Sequence, residues 1–228
     1  MTYIFAAPPT PSVPIAGRNE RFPVHRIYCI GRNYAEHARE MGHEPEKGTP
    51  VFFMKPADAV VSDGRNPGFP MATSNLHHEV EMVVALSGGG RNIPLEHALE
   101  LVYGYSVGVD LTRRDLQAAA KVKGNPWDTA KGFDDSAPIG HIVPARGRHP
   151  IGERLELHVN DQMVQGATIA DMLWSVPEII VELSKLYELR GGDLIYTGTP
   201  AGVGPLQRED QVHCSLEGWC ELEFGFHG

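Results

Sequence analysis

Glu79 and Glu81 lie two residues apart in His77-His78-Glu79-Val80-Glu81-Met82-Val83, and on a β-strand that spacing points both side chains to one face. An isolated pair of this kind is usually an ordinary solvent-facing edge. Here the strand runs on through Met82-Val83-Val84-Ala85-Leu86, apolar on both faces, which implies a buried central strand. Two carboxylates buried without partners repel each other and lose their hydration. A divalent cation removes both penalties. Asp110, at the end of the β-segment Tyr105-Ser106-Val107-Gly108-Val109-Asp110, is the candidate third oxygen ligand. Three carboxylates with no cysteine at suitable spacing favour a hard ion, Mg²⁺ first and Mn²⁺ or Ca²⁺ after it. His77 and His78 keep zinc open. Neither shares the glutamates' face unless the register changes at the strand start, so they read as supporting groups.

His37 and Glu40 are three apart on a predicted helix and share one face. A carboxylate hydrogen-bonded to imidazole orients the ring and raises its basicity, as activation of a water molecule requires. A pair at this spacing is more often a surface contact, but the Gly31-Arg32-Asn33 turn launches this helix from a strand end, where active sites concentrate. Arg114 and Gln117 have the same spacing one turn after Asp110 and could reach a ligand held on the metal. The planar fork of arginine suits a carboxylate. A solvated helix face would claim Arg113 or Arg114. Lys131, in a stretch predicted to be irregular, and Lys55, before Pro56, could each set an ammonium near an anion. Thr197 to Gly204 form a glycine-rich loop after a strand but lack the Gly-Lys-Ser/Thr of a P-loop. Backbone N–H groups and the Thr199 hydroxyl are what such a loop presents.

These residues need a frame. Strands are predicted at Arg26 to Ile30, Val51 to Met54, His77 to Leu86 and Val102 to Asp110. A hairpin follows at Leu155 to Asn160 and Met163 to Ala167, then strands at Asp193 to Thr197, Gln211 to Leu216 and Trp219 to Phe226. Helices are predicted from Tyr34 to Met41, capped by Asn33 and closed by Gly42, and from a Thr112/Asp115 capping box through Gln117 to about Val122. A third runs from Pro177 to Leu189, stopping at Gly191-Gly192. Many strands and few helices, out of βα alternation, define an α+β fold on a rolled antiparallel or mixed sheet. Residues 1–25, with their proline-rich stretch, read as an N-terminal arm ahead of a catalytic domain over residues 26–228.

Composition sets the outer limits. The chain of 228 residues carries 20 Lys plus Arg against 29 Asp plus Glu, a net charge of −9, and no basic block, which argues against nucleic acid as a partner. No apolar run approaches the roughly 20 residues of a membrane span, and no signal-peptide pattern opens the sequence, so no membrane partner and a cytoplasmic location are expected. Cys29, Cys214 and Cys220 are odd in number and off any zinc-finger spacing. Buried reduced thiols are the simplest reading.

Six motifs in one order resemble the fumarylacetoacetate hydrolase family: the Gly31 to Glu40 segment, Met54-Lys55-Pro56, His77 to Glu81, Gly108 to Gln117, Trp127 to Lys131 and Thr197 to Gly204. The resemblance implies a mixed β-roll or β-sandwich with a few flanking helices, usually a homodimer, and Mg²⁺ or Mn²⁺ held by Glu79, Glu81 and Asp110. It also implies a catalytic His37/Glu40 dyad on a segment that orders over the substrate, with Lys131 assisting and Arg114, Gln117 and Thr199 binding the substrate. Arg32 and Arg113 join the binding candidates, Arg113 for a far carboxylate. Without the extra N-terminal domain of the animal fumarylacetoacetases, the chain resembles the shorter acylpyruvate hydrolases. The arm and the Phe52 to Ala59 stretch look most like the bacterial fumarylpyruvate hydrolases of gentisate degradation. The expected reaction is hydrolytic carbon–carbon cleavage of a small anionic 2,4-dioxo acid. Its rivals are decarboxylation of oxaloacetate, or isomerisation or hydration of a related 2-oxo diacid. A non-catalytic module with a structural cation is a more distant alternative, disfavoured by the retained dyad.

Overall fold

In the computed structural model, which describes residues 2–40, 42, 44 and 47–227, mixed sheets dominate and helices are few, as the α+β reading requires. The main sheet has the order Val143–Pro144, Val102–Val109, Val80–Leu86, Asp193–Tyr196, Arg26–Gly31, Val51–Lys55. Asp193–Tyr196 runs parallel to Arg26–Gly31, and the other neighbours are antiparallel. A second, antiparallel sheet has the order Gln162–Thr168, Arg154–Val159, Val212–Leu216, Cys220–Phe224. A small ribbon joins Gly204–Pro205, Leu76–His78 and Thr112–Arg113. Cys29 and Cys214 are buried free thiols, and Cys220 is partly buried.

Val80–Leu86 is buried along its whole length, and its alternation sorts its side chains between two cores. Met82, Val84 and Leu86 join the larger one with Leu155, Leu157, Val212 and Leu216 of the second sheet. Val83 and Ala85 turn to the smaller one, with Ile27, Cys29 and Ile139. By the same period of two, Glu81 faces the side of the smaller core. Residues 2–10 are exposed, but the rest of the N-terminal segment packs onto this body. Ser12–Pro14 pairs with Arg21–Pro23, and Val13, Phe22 and Val24 are buried in the smaller core.

Several elements differ from the sequence reading for identifiable reasons. The predicted strand His77 to Leu86 divides at Glu79: Leu76–His78 belongs to the ribbon and Val80–Leu86 to the main sheet. The first helix, α1, is Ala35–Glu40; the predicted end at Met41 lies outside the described residues. Asn33 does not cap it. Its buried amide donates to the carbonyls of Trp174 (2.9 Å) and Thr197 (2.8 Å) and accepts from the Trp174 N–H (2.7 Å). Helix α2 is Arg114–Lys123, and Arg113 rather than Thr112 holds its N-cap position, so the predicted Thr112/Asp115 capping box is absent. Thr112 instead donates to the Asp110 carbonyl, and Asp115 accepts from Thr73 Oγ1 and the Ser74 N–H, tying the preceding loop to α2. Gly124, at φ +66°, closes α2 in the left-handed region that glycine adopts without strain. Lys131 sits on a short helix, α3 (Asp128–Lys131), rather than in irregular chain. Helix α4, Val176–Leu186, carries a Ser175/Glu178 capping box and stops before Gly191-Gly192, because Leu189 pairs its backbone with Gly90.

Asn33→Ala removes three buried hydrogen bonds at the root of α1 and strands the backbone groups they satisfied. The expected loss is about 2–4 kcal/mol of stability, read as a lower urea midpoint at unchanged slope.

Candidate active site

The break at Glu79 and the end of Val102–Val109 meet: the Asp110 N–H donates to the Glu79 carbonyl at 2.8 Å. That bond fixes the two carboxylates beside Glu81, and one oxygen from each of the three lies within 4.8 Å of the other two. All three residues are buried. Among the described residues they are the one such group of possible metal ligands.

Cations surround the trio. Lys131 Nζ spends all three donors, on Glu79 Oε2 (2.7 Å), Asp110 Oδ2 (2.6 Å) and Thr112 Oγ1 (2.7 Å). Arg114 donates to the other Glu79 oxygen, and to Gln117 Oε1 at 2.6 Å. Lys55 Nζ stands 2.8 Å from Asp110 Oδ1 but aims its hydrogens at the carbonyls of Leu111 and Lys131. The contact is therefore Coulombic, and Asp110 Oδ1 stays buried without a directed hydrogen bond.

The carboxylates respond in opposite ways. Burial raises the Glu81 pKa well above the usual carboxylate range, and the charges of Asp110 and Glu79 raise it further; Lys131 and the Gly198 N–H, 2.7 Å from Glu81 Oε2, oppose this only in part. Burial would raise Glu79 too, but Lys131 and Arg114 touch it and hold it well below that range. Lys131, penalised by burial, is kept charged by Asp110 and Glu79. Three crowded, buried carboxylates, with Asp110 Oδ1 lacking a hydrogen bond and the Glu81 pKa raised, are what a hard dication at this point would stabilise. The donor set fits Mg²⁺ or Mn²⁺.

The dyad stands across the pocket. His37, buried on α1, places Nδ1 3.1 Å from Glu40 Oε2 and lines the same pocket as Glu79 and Glu81. With Nδ1 held by the carboxylate, Nε2 is the nitrogen left to accept a proton. Glu40 also accepts from the Gly202 N–H, joining α1 to the glycine-rich loop. Gly198 in that loop has φ +93°, and a Cβ there would meet the Asn33 Cβ at 2.6 Å. Only glycine lets its N–H reach Glu81 so close to the root of α1.

Arg32, Arg114, Gln117, Lys131 and Thr199 also line the pocket, while Asp110 and Glu40 are not part of its lining. Arg113 is not brought in. Its guanidinium lies 4.4 Å from the Phe133 ring centroid and donates to the Thr129 carbonyl. His77 receives a hydrogen bond from Arg114 Nε, and His78 pairs with Gln165 Oε1 at 2.9 Å, so both support the site from outside the ligand group. Sequence reasoning missed Gln165, which reaches from the second sheet to Thr199 Oγ1 at 2.8 Å. It also gave no role to Phe53, Lys121 and Trp127 of the lining. For Lys121 a signal existed: it follows Arg114 by seven residues and Gln117 by four. A wider groove of about 810 Å³ past Arg154, Glu156 and Trp219 contains none of these groups, so chemistry rather than size selects the site.

This sheet architecture and acidic trio accompany a clear relationship: the chain belongs to the fumarylacetoacetate hydrolase family, and the match to the model described as fumarylacetoacetate (FAA) hydrolase C-terminal spans residues 26–226. Among solved structures it is similar to the fumarylpyruvate hydrolase of Pseudomonas aeruginosa in complex with Mn²⁺ and pyruvate, at 45% identity and a TM-score of 0.96, with 99% of each chain covered. The oxaloacetate tautomerase YcgM of Escherichia coli is 40% identical over 201 residues, 86% of this chain and 90% of that protein. The mitochondrial oxaloacetate tautomerase FAHD1 of Mus musculus is 41% identical over 199 residues, 87% of this chain and 90% of that protein.

Glu81→Ala and Asp110→Ala should each weaken Mn²⁺ binding by at least about 100-fold, measured by calorimetric titration. Arg113→Ala, outside the pocket, should leave the affinity within a factor of two or so of the parent.

Proposed function

We propose that this protein hydrolyses the carbon–carbon bond of a 2,4-dioxo acid, 3-fumarylpyruvate, giving fumarate and pyruvate with consumption of one water. The observation that carries the reading is one pocket lined by Glu79 and Glu81 of the buried carboxylate trio and by His37 of the His37/Glu40 dyad. The near-complete overlap with a fumarylpyruvate hydrolase holding Mn²⁺ and pyruvate supports it. The family match beginning at residue 26 is in keeping with a catalytic domain over residues 26–228 behind an N-terminal segment, residues 1–25.

His37, oriented by Glu40, takes a proton from water at Nε2, and the water oxygen bonds to the carbonyl carbon on the fumaryl side. Collapse of the adduct breaks the bond to the pyruvyl carbon, and the electron pair leaves as the enolate of pyruvate, which is then protonated. Lys131, freed in part once a cation takes its Glu79 and Asp110 oxygens, would steady the oxyanion or return the proton, and Arg114 and Gln117 fix the pyruvyl carboxylate. Thr199, held by Gln165, and Arg32 complete the substrate contacts. A divalent cation held by Glu79, Glu81 and Asp110 supplies electrophilic stabilisation for the charge that develops on the pyruvyl fragment. Mg²⁺ as an alternative to Mn²⁺, a homodimer, a cytoplasmic location and a place in gentisate-type aromatic degradation accompany this reading through the family resemblance. Among the described residues no helix is long and apolar enough to cross a membrane.

A second reading, keto–enol tautomerisation of oxaloacetate, is favoured by the tautomerase relatives. It uses the same enolate stabilisation without an attacking water. Protein loaded with Mn²⁺ or Mg²⁺ is assayed in parallel for pyruvate release from fumarylpyruvate and for oxaloacetate tautomerisation. Hydrolysis as the dominant activity is the expected result, and tautomerisation without pyruvate release would reverse the order of the two readings. His37→Ala should lower hydrolytic kcat by about 100-fold or more while Mn²⁺ still binds.

A further inference from the structure

Positive charge in the pocket exceeds what the carboxylate trio accounts for. Lys55, Arg114 and Lys131 each stand on one of those carboxylates. Lys121 and Arg32 line the same pocket, yet no carboxylate of the described residues forms an ion pair with either. Lys121 shares the pocket-facing stripe of α2 with Arg114 and Gln117, at helical spacing. Seven residues of rise place its Cα about 10 Å beyond that of Arg114 along the axis, and helical side chains lean back toward the N-terminus, into that interval. Its ammonium lies 5.3 Å from the Trp127 ring centroid, and that ring is tilted against Phe53 at 5.9 Å. Burial, followed by the like charges of Arg114 and Arg32, lowers its pKa. Arg32 is itself held at φ +61°, a left-handed conformation that is unfavourable for a side-chain-bearing residue and that collects at ligand clamps.

We propose that Lys121 and Arg32, beside the Trp127 ring, form a subsite for a second carboxylate at the far end of the acyl chain. The pocket then selects acylpyruvates whose acyl group ends in a carboxylate. The inference rests on the acylpyruvate reading above and names the substrate class within it. An extended seven-carbon diacid spans roughly 8 Å between its terminal carbons, commensurate with the interval between the Arg114 end and the Lys121 end of α2. An anion there also relieves the repulsion between two half-buried cations.

The test compares fumarylpyruvate with acetylpyruvate, which has the same pyruvyl head and no second carboxylate. In K121M the ratio of kcat/KM for fumarylpyruvate over acetylpyruvate should fall about 10- to 100-fold, the loss expected for a charged hydrogen bond, and K121R should recover most of it. An unchanged ratio overturns the proposal. A binding arm needs no turnover: fumarate and crotonate, which differ by one carboxylate, are titrated onto protein carrying Mn²⁺. A fumarate preference lost in K121M supports the subsite, and equal affinities in the parent protein overturn it. If neither acylpyruvate is cleaved while the fumarate preference holds, the reaction assignment fails and the anion subsite stands.

Discussion

Three carboxylates gathered inside a β-sheet are the constraint to which the rest of this structure answers. Such groups lose water and repel one another, so every neighbouring element contributes something to hold them. The strand Val51–Lys55 supplies one ammonium and α3 another, α2 supplies a guanidinium, and the glycine-rich loop supplies a backbone N–H. The uneven distribution of these partners separates the two glutamates: against its burial, Lys131 and Arg114 lower the Glu79 pKa, whereas burial and the charges of Asp110 and Glu79 raise that of Glu81.

The scaffold divides its work between the two sheets. The main sheet carries Glu81 and Lys55 on strands and Asp110 just beyond a strand end, where backbone pairing fixes them. The second sheet, packed against it through the larger core, reaches the site by way of Gln165. That one side chain binds His78, the Val80 N–H, Thr199 and the Pro200 carbonyl. It couples the start of the central strand to the loop that faces the substrate. Asn33 plays the corresponding part for α1, joining it to the Trp174 and Thr197 backbone.

The chemistry was legible wherever it followed the period of a regular element: Glu79 and Glu81 two apart on extended chain, His37 and Glu40 or Arg114 and Gln117 three apart on helices. The α+β character followed from the order of strands and helices. What escaped depends on partners distant in sequence. Asn33 has the composition of a helix cap, but its partners lie 141 and 164 residues away. The break at Glu79 is invisible in a run of strand-forming residues, because the ribbon strands that capture Leu76–His78 come from elsewhere in the chain. Arg113 and Arg114 look interchangeable in sequence. Arg113 ends the ribbon strand Thr112–Arg113 while Arg114 opens α2, and only Arg114 reaches Glu79.

Lys131 gives the acidic centre an internal counter-ion. Structural zinc modules have no compact state until their ion arrives; here an ammonium already satisfies two of the three acids, so the polypeptide can complete its sheet first and acquire its ion later. Loading would then be an exchange of partners within a finished protein, and which dication took the centre would follow from the surrounding supply as much as from intrinsic affinity.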